Sequence, residues 1–577
     1  MASAELQRAV NGYNNYIEAH NGLADVQAIN AYVEAVRVAI KQEGDIEYGL
    51  KLSKQVKELI ETRLSYLKGY TIWDLQKFCY DNKTEVTELT YYFDLLLMEA
   101  QNKQFGSYMR YLEKDRNPKE QFYMPKRKAF NRFQIVDALQ GLVDDRYDIV
   151  LISLIPGAGK TTIEKFFISA LIGWFPIDYN LFYSHSSDIA RMFYDGVYDI
   201  VTNNLEYRWN DIFPSLEVTN TNAKMQQFNI GKYKPFPSLQ CTSIGSENAG
   251  KVRASKLLCV DDTIGKLEDA LNKNTLNKIW GAYTVDARQR KVESVDGIPC
   301  KELHSATRWA TLDVLGRLLA IYGENNPRVK VIAVPDVDPV TGRSNFDYEY
   351  GGFTVKFFDD QRLLMDDISY RCLYKQEPIE RDGLLYQDEE LRRYVELPLR
   401  EPDAVIGVCD TKSKGVDYMV LPVMYQYDDD YYMVDCFCND DTNFDIQYGR
   451  IANMMLDHNM QQCEFESNAG GDRVAYEIES RLKQLGGRCN ITTKATETNK
   501  ETRIIVNSDW IKRHVLFKDK ELYSPKDDYG VFMNFLVSYT TKGRNNHDDV
   551  VDCMANFALF VTRRRNVHKA SISGSWI

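Results

Sequence analysis

Apolar positions in the first hundred residues recur every three or four places, as in Leu52, Val56, Leu59 and Ile60. That spacing lines one face of an α-helix. Residues 1–115 hold no proline, and the pattern predicts a helical extension. From about residue 129 the pattern changes. Short apolar runs alternate with helix-like stretches, which predicts an α/β domain. Ile149–Leu154, Asn180–Ser184, Lys256–Val260, Leu303–Ala306 and Lys330–Val334 are the expected strands. A second α/β unit opens at Ala404-Val-Ile-Gly-Val-Cys-Asp410. Tyr418–Tyr425 and Tyr431–Phe437, with Asp428-Asp-Asp430 between them, predict a hairpin. Proline-bearing stretches break the pattern at Asp115–Lys128 and from Pro378 to Pro402. The expected organisation is a helical extension at 1–115, an α/β domain at 116–380, a linker at 381–402, a second α/β domain at 403–565 and a mobile basic tail at 566–577.

Composition narrows the classes. The chain has 577 residues, 44% hydrophobic and 27% charged, which is the range of a globular protein with several cores. The net charge is −12, so contact with nucleic acid requires local basic patches rather than a basic surface. Eleven cysteines are scattered without a C-x-x-C pair, the pattern of reduced intracellular thiols. The first residues, Met1-Ala-Ser-Ala-Glu-Leu-Gln-Arg8, contain no apolar signal region. The apolar stretch Phe166–Phe175 stops at Pro176, too short to span a bilayer. A soluble intracellular protein without membrane contact is expected.

The chemistry begins at Ile155-Pro156-Gly157-Ala158-Gly159-Lys160-Thr161-Thr162. An apolar run precedes it and a helix-compatible stretch, Ile163–Phe175, follows. Strand, small-residue turn, Gly-Lys-Thr and helix form the order of a phosphate cradle. Pro156 to Thr162 would wrap the anion, Lys160 would reach the outer phosphates, and Thr161 would bind Mg²⁺. The P-loop pattern G-x-x-x-x-G-K-[ST] places its first glycine where this chain has Leu154. Lys256-Leu-Leu-Cys-Val-Asp261-Asp262 is an apolar strand ending in two acids. Asp261 is the expected Mg²⁺ ligand and Asp262 the residue that polarises the attacking water.

Further segments follow in order. They are Ser184-His-Ser-Ser-Asp-Ile-Ala190, Ser305-Ala-Thr-Arg-Trp309, Gly316-Arg-Leu-Leu319, Leu373-Tyr-Lys-Gln-Glu-Pro378 and Gly383-Leu-Leu-Tyr386. Over residues 120–565 this order resembles the large terminase subunit of tailed bacteriophages, the ATPase that pumps DNA into the procapsid. The resemblance implies a P-loop ATPase domain of the ASCE/RecA-like class, followed by a ribonuclease H-like nuclease domain. It implies that Thr307-Arg308-Trp309 and Gly316-Arg317-Leu318 couple hydrolysis to movement, and that the Tyr-x-Gln-x-Pro segment closes the ATPase half. The family's arginine finger has three candidates here, Arg191, Arg253 and Arg317. Gln134 is a candidate for adenine. The helical extension has no counterpart in the family pattern.

Two-metal phosphodiester cleavage needs carboxylates converging from separate elements. Asp410 ends one apolar strand, and Glu466 ends another before Ser467-Asn-Ala-Gly-Gly471. His547-Asp548-Asp549-Val-Val-Asp552 opens the last apolar helix. Asp410, Glu466 and either Asp548 or Asp549 match the family's catalytic triad, and Asp417 matches a further family acid. Glu464, two places before Glu466, is a weaker alternative. Spacing leaves Asp548 and Asp549 undivided, and lets either share a helix face with Asp552. Oxygen-only ligands select Mg²⁺ or Mn²⁺ over zinc. Lys542 and Arg544 near these acids are candidates for DNA phosphates, and Arg563-Arg-Arg565 with Lys569 for DNA or the portal.

By resemblance the partners are double-stranded DNA, the portal protein, the small terminase subunit and copies of the chain itself in a ring, a pentamer in the family pattern. The expected location is the cytoplasm of the infected bacterial host and, transiently, the portal vertex of the procapsid. The alternative enzyme is a helicase-nuclease of DNA repair or defence, which calls for further helicase motifs after Thr-Arg-Trp; none is found. A scaffold that has lost hydrolysis is disfavoured by the intact Lys160, Asp261 and Asp262.

Overall fold

In the computed structural model the described residues are 2–577, less 21–22, 233, 246–251, 267–268, 271, 324, 366, 379–384, 412–417, 442, 468–469, 496–498, 541–547 and 574–577. At 367–368 and 566–573 only the backbone is described. Two compact units divide the chain. One comprises Met1–Leu363 with Tyr370–Pro378, the other Leu364–Ser369 with Ile379–Ile577.

The first unit opens with helices α1 (Ala4–Ala19), α2 (Val26–Arg37), α3 (Ile46–Lys68), α4 (Ile72–Asn82), α5 (Thr87–Gln101) and α6 (Phe105–Leu112). Their starts are written locally. Asp25, Asp45 and Thr71 each cap a helix by accepting a backbone N–H near its start. The face of α3 bearing Leu52, Val56, Ile60 and Leu64 is buried, as the spacing predicts. Helices α7 (Tyr123–Arg132) and α8 (Ile135–Val143) lead into the sheet.

That sheet contains β1 (Ile149–Ser153), β2 (Asn180–Ser184), β3 (Val218–Asn222), β4 (Gln227–Ile230), β5 (Leu239–Ser243), β6 (Leu257–Asp261), β7 (Lys301–Ala306) and β8 (Val329–Ala333). The order is β3-β4-β5-β2-β6-β7-β1-β8. Strands β5, β2, β6, β7, β1 and β8 run parallel to one another, and β3 and β4 are antiparallel additions at one edge. All five residues of β1, β2 and β6 are buried, which explains their unbroken apolar runs. Strand β7 lies between β1 and β6, so the phosphate-loop strand and the acid-bearing strand are not neighbours. This insertion is the ASCE arrangement, and it sets the β7 end between the two halves of the site.

A charged clasp closes the other end of these strands. Asp148, just before β1, accepts from Lys301 Nζ at 2.7 Å and from Arg328 Nη2 and Nε at 2.6 and 2.9 Å. Arg328, then Lys301, hold its carboxyl down at about 2. An acid whose folded pKa is lowered adds stability above its unfolded value of about 4, and that stability fades as pH falls toward 2. Asp148→Asn is therefore expected to melt below the wild type at pH 5, and the gap should narrow at pH 3. Parallel melting curves at the two pH values check this.

The second unit holds β9 (Arg392–Tyr394), β10 (Ala404–Cys409), β11 (Met419–Tyr427), β12 (Asp430–Asn439), β13 (Gln462–Glu466), β14 (Asn490–Lys494) and β15 (Val515–Lys518), in the order β14-β13-β10-β11-β12-β15-β9. Strands β10, β11 and β12 form an antiparallel meander. Strand β13 adds parallel to β10, and β14 parallel to β13. This is the ribonuclease H-like order. Ile406 and Val408 of β10 enter one core, Val405 and Cys409 the other, so both faces of the strand are covered. The long helix Asp549–Ser573 buries Val550, Met554 and Phe557 in the first of these cores.

Two segments differ from the sequence reading. The expected linker at 381–402 contributes β9, which pairs with β15 through Arg392–Tyr394. The expected mobile tail from 566 continues the last helix to Ser573. Its residues 563–573 contain neither glycine nor proline, and Gly574 follows, so nothing local stops the helix earlier. No helix among the described residues is long and apolar enough to cross a membrane, and all eleven cysteines are unpaired.

Candidate active sites

The phosphate loop turns between β1 and α9 (Lys160–Trp174). Gly157 and Gly159 have φ of +77° and +105°, a region costly for any residue with a Cβ. Neither relies on the missing first glycine of the motif, because the turn is made at these two positions. Lys160 is buried at the start of the helix, its Nζ 2.9 Å from Leu154 O. Thr161 Oγ1 donates to Asp261 Oδ2 at 2.6 Å, and Ser305 Oγ donates to Asp261 Oδ1 at 2.6 Å. Burial, followed by the charge of Asp262, pushes the Asp261 carboxyl up to about 6. The last residue of β6, a helix hydroxyl and a β7 hydroxyl thus meet at one oxygen-rich point, suited to a hard cation.

Asp262 accepts from Thr307 N at 2.9 Å and from Thr307 Oγ1 at 3.3 Å, and its own carbonyl faces His185 Nδ1 at 2.7 Å. Its φ of +37° is a strained value for aspartate. The next residue after Thr307, Arg308, donates to Asp313 Oδ2 at 3.1 Å, and Asp313 Oδ1 caps the helix Val314–Tyr322 through Gly316 N at 2.7 Å. A Cβ on Gly316 would lie 2.2 Å from Thr311 O, so only glycine fits there. The Thr-Arg-Trp and Gly-Arg-Leu segments therefore join into one hydrogen-bonded path starting at Asp262. Gln376, of the Tyr-x-Gln-x-Pro segment, accepts from Ser153 Oγ at the end of β1.

Several neighbours of the loop carried no signal in the sequence. Glu164, one turn after Lys160, is fully buried. Burial, then the charge of Asp261, raises its carboxyl well above the usual range. Lys126 Nζ lies 4.9 Å from the Phe122 ring and 5.0 Å from the Tyr348 ring, and burial lowers its pKa. Tyr348 OH donates to Ala158 O at 3.3 Å. The Phe122 ring would stand 2.6 Å from a Cβ on Gly159. Gly159→Ala thus combines left-handed strain with displacement of an aromatic ring. A loss of about 1–3 kcal/mol and weaker nucleotide binding are expected; an unchanged melting temperature and ATP affinity would refute the steric account.

Other candidates are placed elsewhere. Gln134 accepts from Lys330 Nζ at 2.7 Å. Arg191 is largely exposed, 3.9 Å from Asp195. Arg253 donates to the adjacent Val252 O at 3.1 Å, and Arg317 to Leu312 O and Asn277 Oδ1 at 2.8 and 2.7 Å. None of these bonds reaches the phosphate loop.

In the second unit Asp410, just beyond β10, is fixed by Asp410 N to Val420 O at 2.9 Å. Glu466 ends the neighbouring strand β13. The acid that meets them is Asp552. One carboxylate oxygen from each of Asp410, Glu466 and Asp552 lies within 4.8 Å of the others. Asp548 instead accepts from Lys500 Nζ at 2.7 Å. Asp549 Oδ2 accepts from Tyr418 N at 3.0 Å. Asp552 lies one turn into the helix Asp549–Ser573 and meets the strand ends, while Asp548 and Asp549 at the start of the helix are engaged by Lys500 and by Tyr418 N. Glu464 pairs with Arg563 outside the cluster. Asp417, Lys542, Arg544 and His547 lie outside the described residues, as does the side chain of Lys569.

Burial raises the Asp410 carboxyl well above its ordinary range, and the charges of Asp552, Glu466 and Asp549 add to this. Asp552 is raised too, burial outweighing Arg503, whose Nε and Nη2 each donate to it at 2.8 Å. Lys500 Nζ stands 3.6 Å from Asp552. Three acids forced together with an all-oxygen donor set fit a hard divalent cation, whose charge relieves their repulsion.

Residues 409–516 match the family model described as Terminase Bacteriophage T7, Ribonuclease H-like domain. The match takes in Asp410 and Glu466 and stops short of Asp552. Among solved structures, the large terminase of a thermophilic bacteriophage, in complex with ADP, is 12% identical. It covers 76% of this chain and 100% of its own, with a TM-score of 0.33. The HK97 bacteriophage large terminase is 11% identical over 69% of this chain and 86% of its own, with a TM-score of 0.30. The large terminase nuclease of thermophilic phage G20c is 18% identical over 29% of this chain and 92% of its own, with a TM-score of 0.21. No curated protein matches the chain. Residues 409–516 thus carry a ribonuclease H-like domain of the terminase type, which bears out over that stretch the resemblance read from the motifs.

Proposed function

We propose that the chain is the packaging motor subunit that hydrolyses ATP to drive double-stranded DNA into a viral procapsid and cuts the concatemer. The observation that carries this reading is the Asp410–Glu466–Asp552 cluster on a terminase-type sheet. The same chain holds a phosphate loop whose Thr161 is bonded to Asp261.

At the first site Pro156 to Thr162 would cradle the phosphates, and Gln134 would reach adenine only by leaving Lys330 Nζ. Lys160 moves from Leu154 O to the outer phosphates. Thr161 and Asp261 would hold Mg²⁺. Asp262 orients the attacking water. Because Asp262 is bonded to Thr307, and Arg308 to the Asp313 cap, a change at the γ-phosphate position is felt by the helix Val314–Tyr322. An arginine from a neighbouring protomer, or a moved Arg191, Arg253 or Arg317, would complete the charge stabilisation.

At the second site Asp410, Glu466 and Asp552 would hold two Mg²⁺ or Mn²⁺, with Asp548 and Asp549 as further carboxylates nearby. Such ions polarise the scissile phosphate and lower the pKa of bound water. Lys500 and Arg503 keep the acids in place before DNA arrives. The portal, the small terminase subunit and a ring of copies, five in the family pattern, are the partners this reading requires, and the procapsid vertex in the host cytoplasm is its place of work. A chain of net charge −12 grips DNA phosphates through local cations, so binding weakens steeply with salt.

The test is ATP-driven uptake of linear DNA into procapsids from the same virus, read as nuclease-protected DNA. Uptake should require ATP and the intact chain. ATP hydrolysis without any protected DNA, in the presence of portal-bearing procapsids, would sink the motor reading.

A further inference from the structure

The helical extension, α7 and α8 line an open pocket of about 460 Å³ whose residues belong to neither site. Its walls carry Lys57 from α3, Ser107 and Arg110 from α6, and Tyr123, Arg127 and Asn131 from α7. We propose that this pocket binds a phosphate group, and that the ligand links the extension to the helix lying over the ATPase loop.

Charge is the first argument. Lys57 is matched by Glu99, at 2.6 Å, which also accepts from Ser53 and Ser107. Arg110 is 8% exposed and, among the described residues, makes a single hydrogen bond, from Nη1 to Tyr92 OH at 2.5 Å. It reaches a carboxylate only through that hydroxyl, which donates to Glu61 at 2.8 Å. Arg127 has no carboxylate at ion-pair distance among the described residues, and the one acid on the wall, Asp137, is exposed and held by Arg146 at 2.9 Å. A guanidinium has five N–H donors. Two guanidinium groups without a carboxylate partner therefore face this pocket with donors open to a ligand.

Geometry is the second. Two guanidinium groups from different helices suit the oxygens of a tetrahedral oxyanion. The volume suits a pyrophosphate or a nucleotide, or one backbone phosphate reaching in. Arg127 and Tyr123 project from α7 one turn apart on the pocket side. Phe122 and Lys126 of the same segment project toward Gly159, where a Cβ would meet them at 2.6 and 3.6 Å. A ligand on Arg127 therefore pulls on a helix whose adjacent face seats the phosphate loop.

The test uses the full chain carrying Lys160→Ala, which disables the phosphate loop, titrated calorimetrically with pyrophosphate. One site per chain is expected. Adding Arg127→Met, which removes a half-buried side chain and spares the core, should weaken it about tenfold or more. Adding Arg481→Met, in the other unit, should leave it unchanged. Arg110→Met should weaken it at least as much. Absence of binding on the Lys160→Ala background, or affinity indifferent to both Arg127→Met and Arg110→Met, would overturn the proposal. Competition with a labelled 20-base-pair duplex identifies the source. Displacement of the duplex by pyrophosphate, with Arg127→Met weakening both, assigns the phosphate to DNA; weakening of pyrophosphate alone assigns it to a free phosphate or nucleotide.

Discussion

Lys160→Ala is expected to reduce ATP hydrolysis by about a thousandfold, the scale seen when one preorganised charge donor is removed from a transition state. The side chain is 7% exposed and already inside the loop, bonded to Leu154 O at 2.9 Å. In the proposed mechanism its charge would serve the outer phosphates, where negative charge builds during transfer. Alanine is a strong helix former at the start of α9, so the fold should persist. The readouts are phosphate release and a melting curve. DNA cleavage by the same variant should stay near the wild-type rate, because its carboxylates belong to the other unit. Hydrolysis within tenfold of wild type would remove the phosphate loop from the mechanism.

Asp410→Asn should abolish plasmid cutting with either Mg²⁺ or Mn²⁺, a fall of at least about a thousandfold, and leave ATP hydrolysis intact. Burial and three like charges oppose ionisation of Asp410. Its amide should raise the melting temperature of the metal-free protein, since repulsion is removed and shape is kept. The companion variants discriminate. Asp552→Asn should lose cutting as fully as Asp410→Asn, and should also lose stability, because it loosens the buried Arg503 pair. Asp548→Asn, whose carboxylate answers Lys500 rather than the cluster, should retain cutting within about tenfold. If Asp548→Asn is dead and Asp552→Asn active, the third ligand is one of the two acids that the family resemblance implied, and the observed cluster is not the working one.

The contrast between these residues shows what was readable beforehand. Ile149–Ser153, Leu257–Asp261 and Ala404–Cys409 are strands covered on both faces, so their apolar runs are unbroken and end visibly in chemistry. Lys160, Thr161, Asp261 and the acids Asp410 and Glu466 sit at such ends. Strands β3 and β4 escaped notice because they are short and polar. Val218-Thr-Asn-Thr-Asn222 has no buried residue, and its pairing along the edge is a tertiary event. Asp552 escaped because a helix offers several acids within one turn. Which of them faces a strand end depends on how the helix rolls on its core, a matter settled by Val550, Met554 and Phe557.

The sequence by itself determined the local chemistry. A glycine with positive φ before Lys-Thr, a carboxylate at a buried strand's end and a cap at a helix start are each set by neighbours along the chain. The tertiary structure decided which of these groups meet. It inserted β7 between β1 and β6 and so brought Ser305 and Thr307 to Asp261 and Asp262. It chose Asp552 over Asp548 and Asp549, and set Arg110 beside Arg127 across two helices. Such meetings depend on contacts separated by tens to hundreds of residues, which packing of the cores fixes and local propensity does not encode.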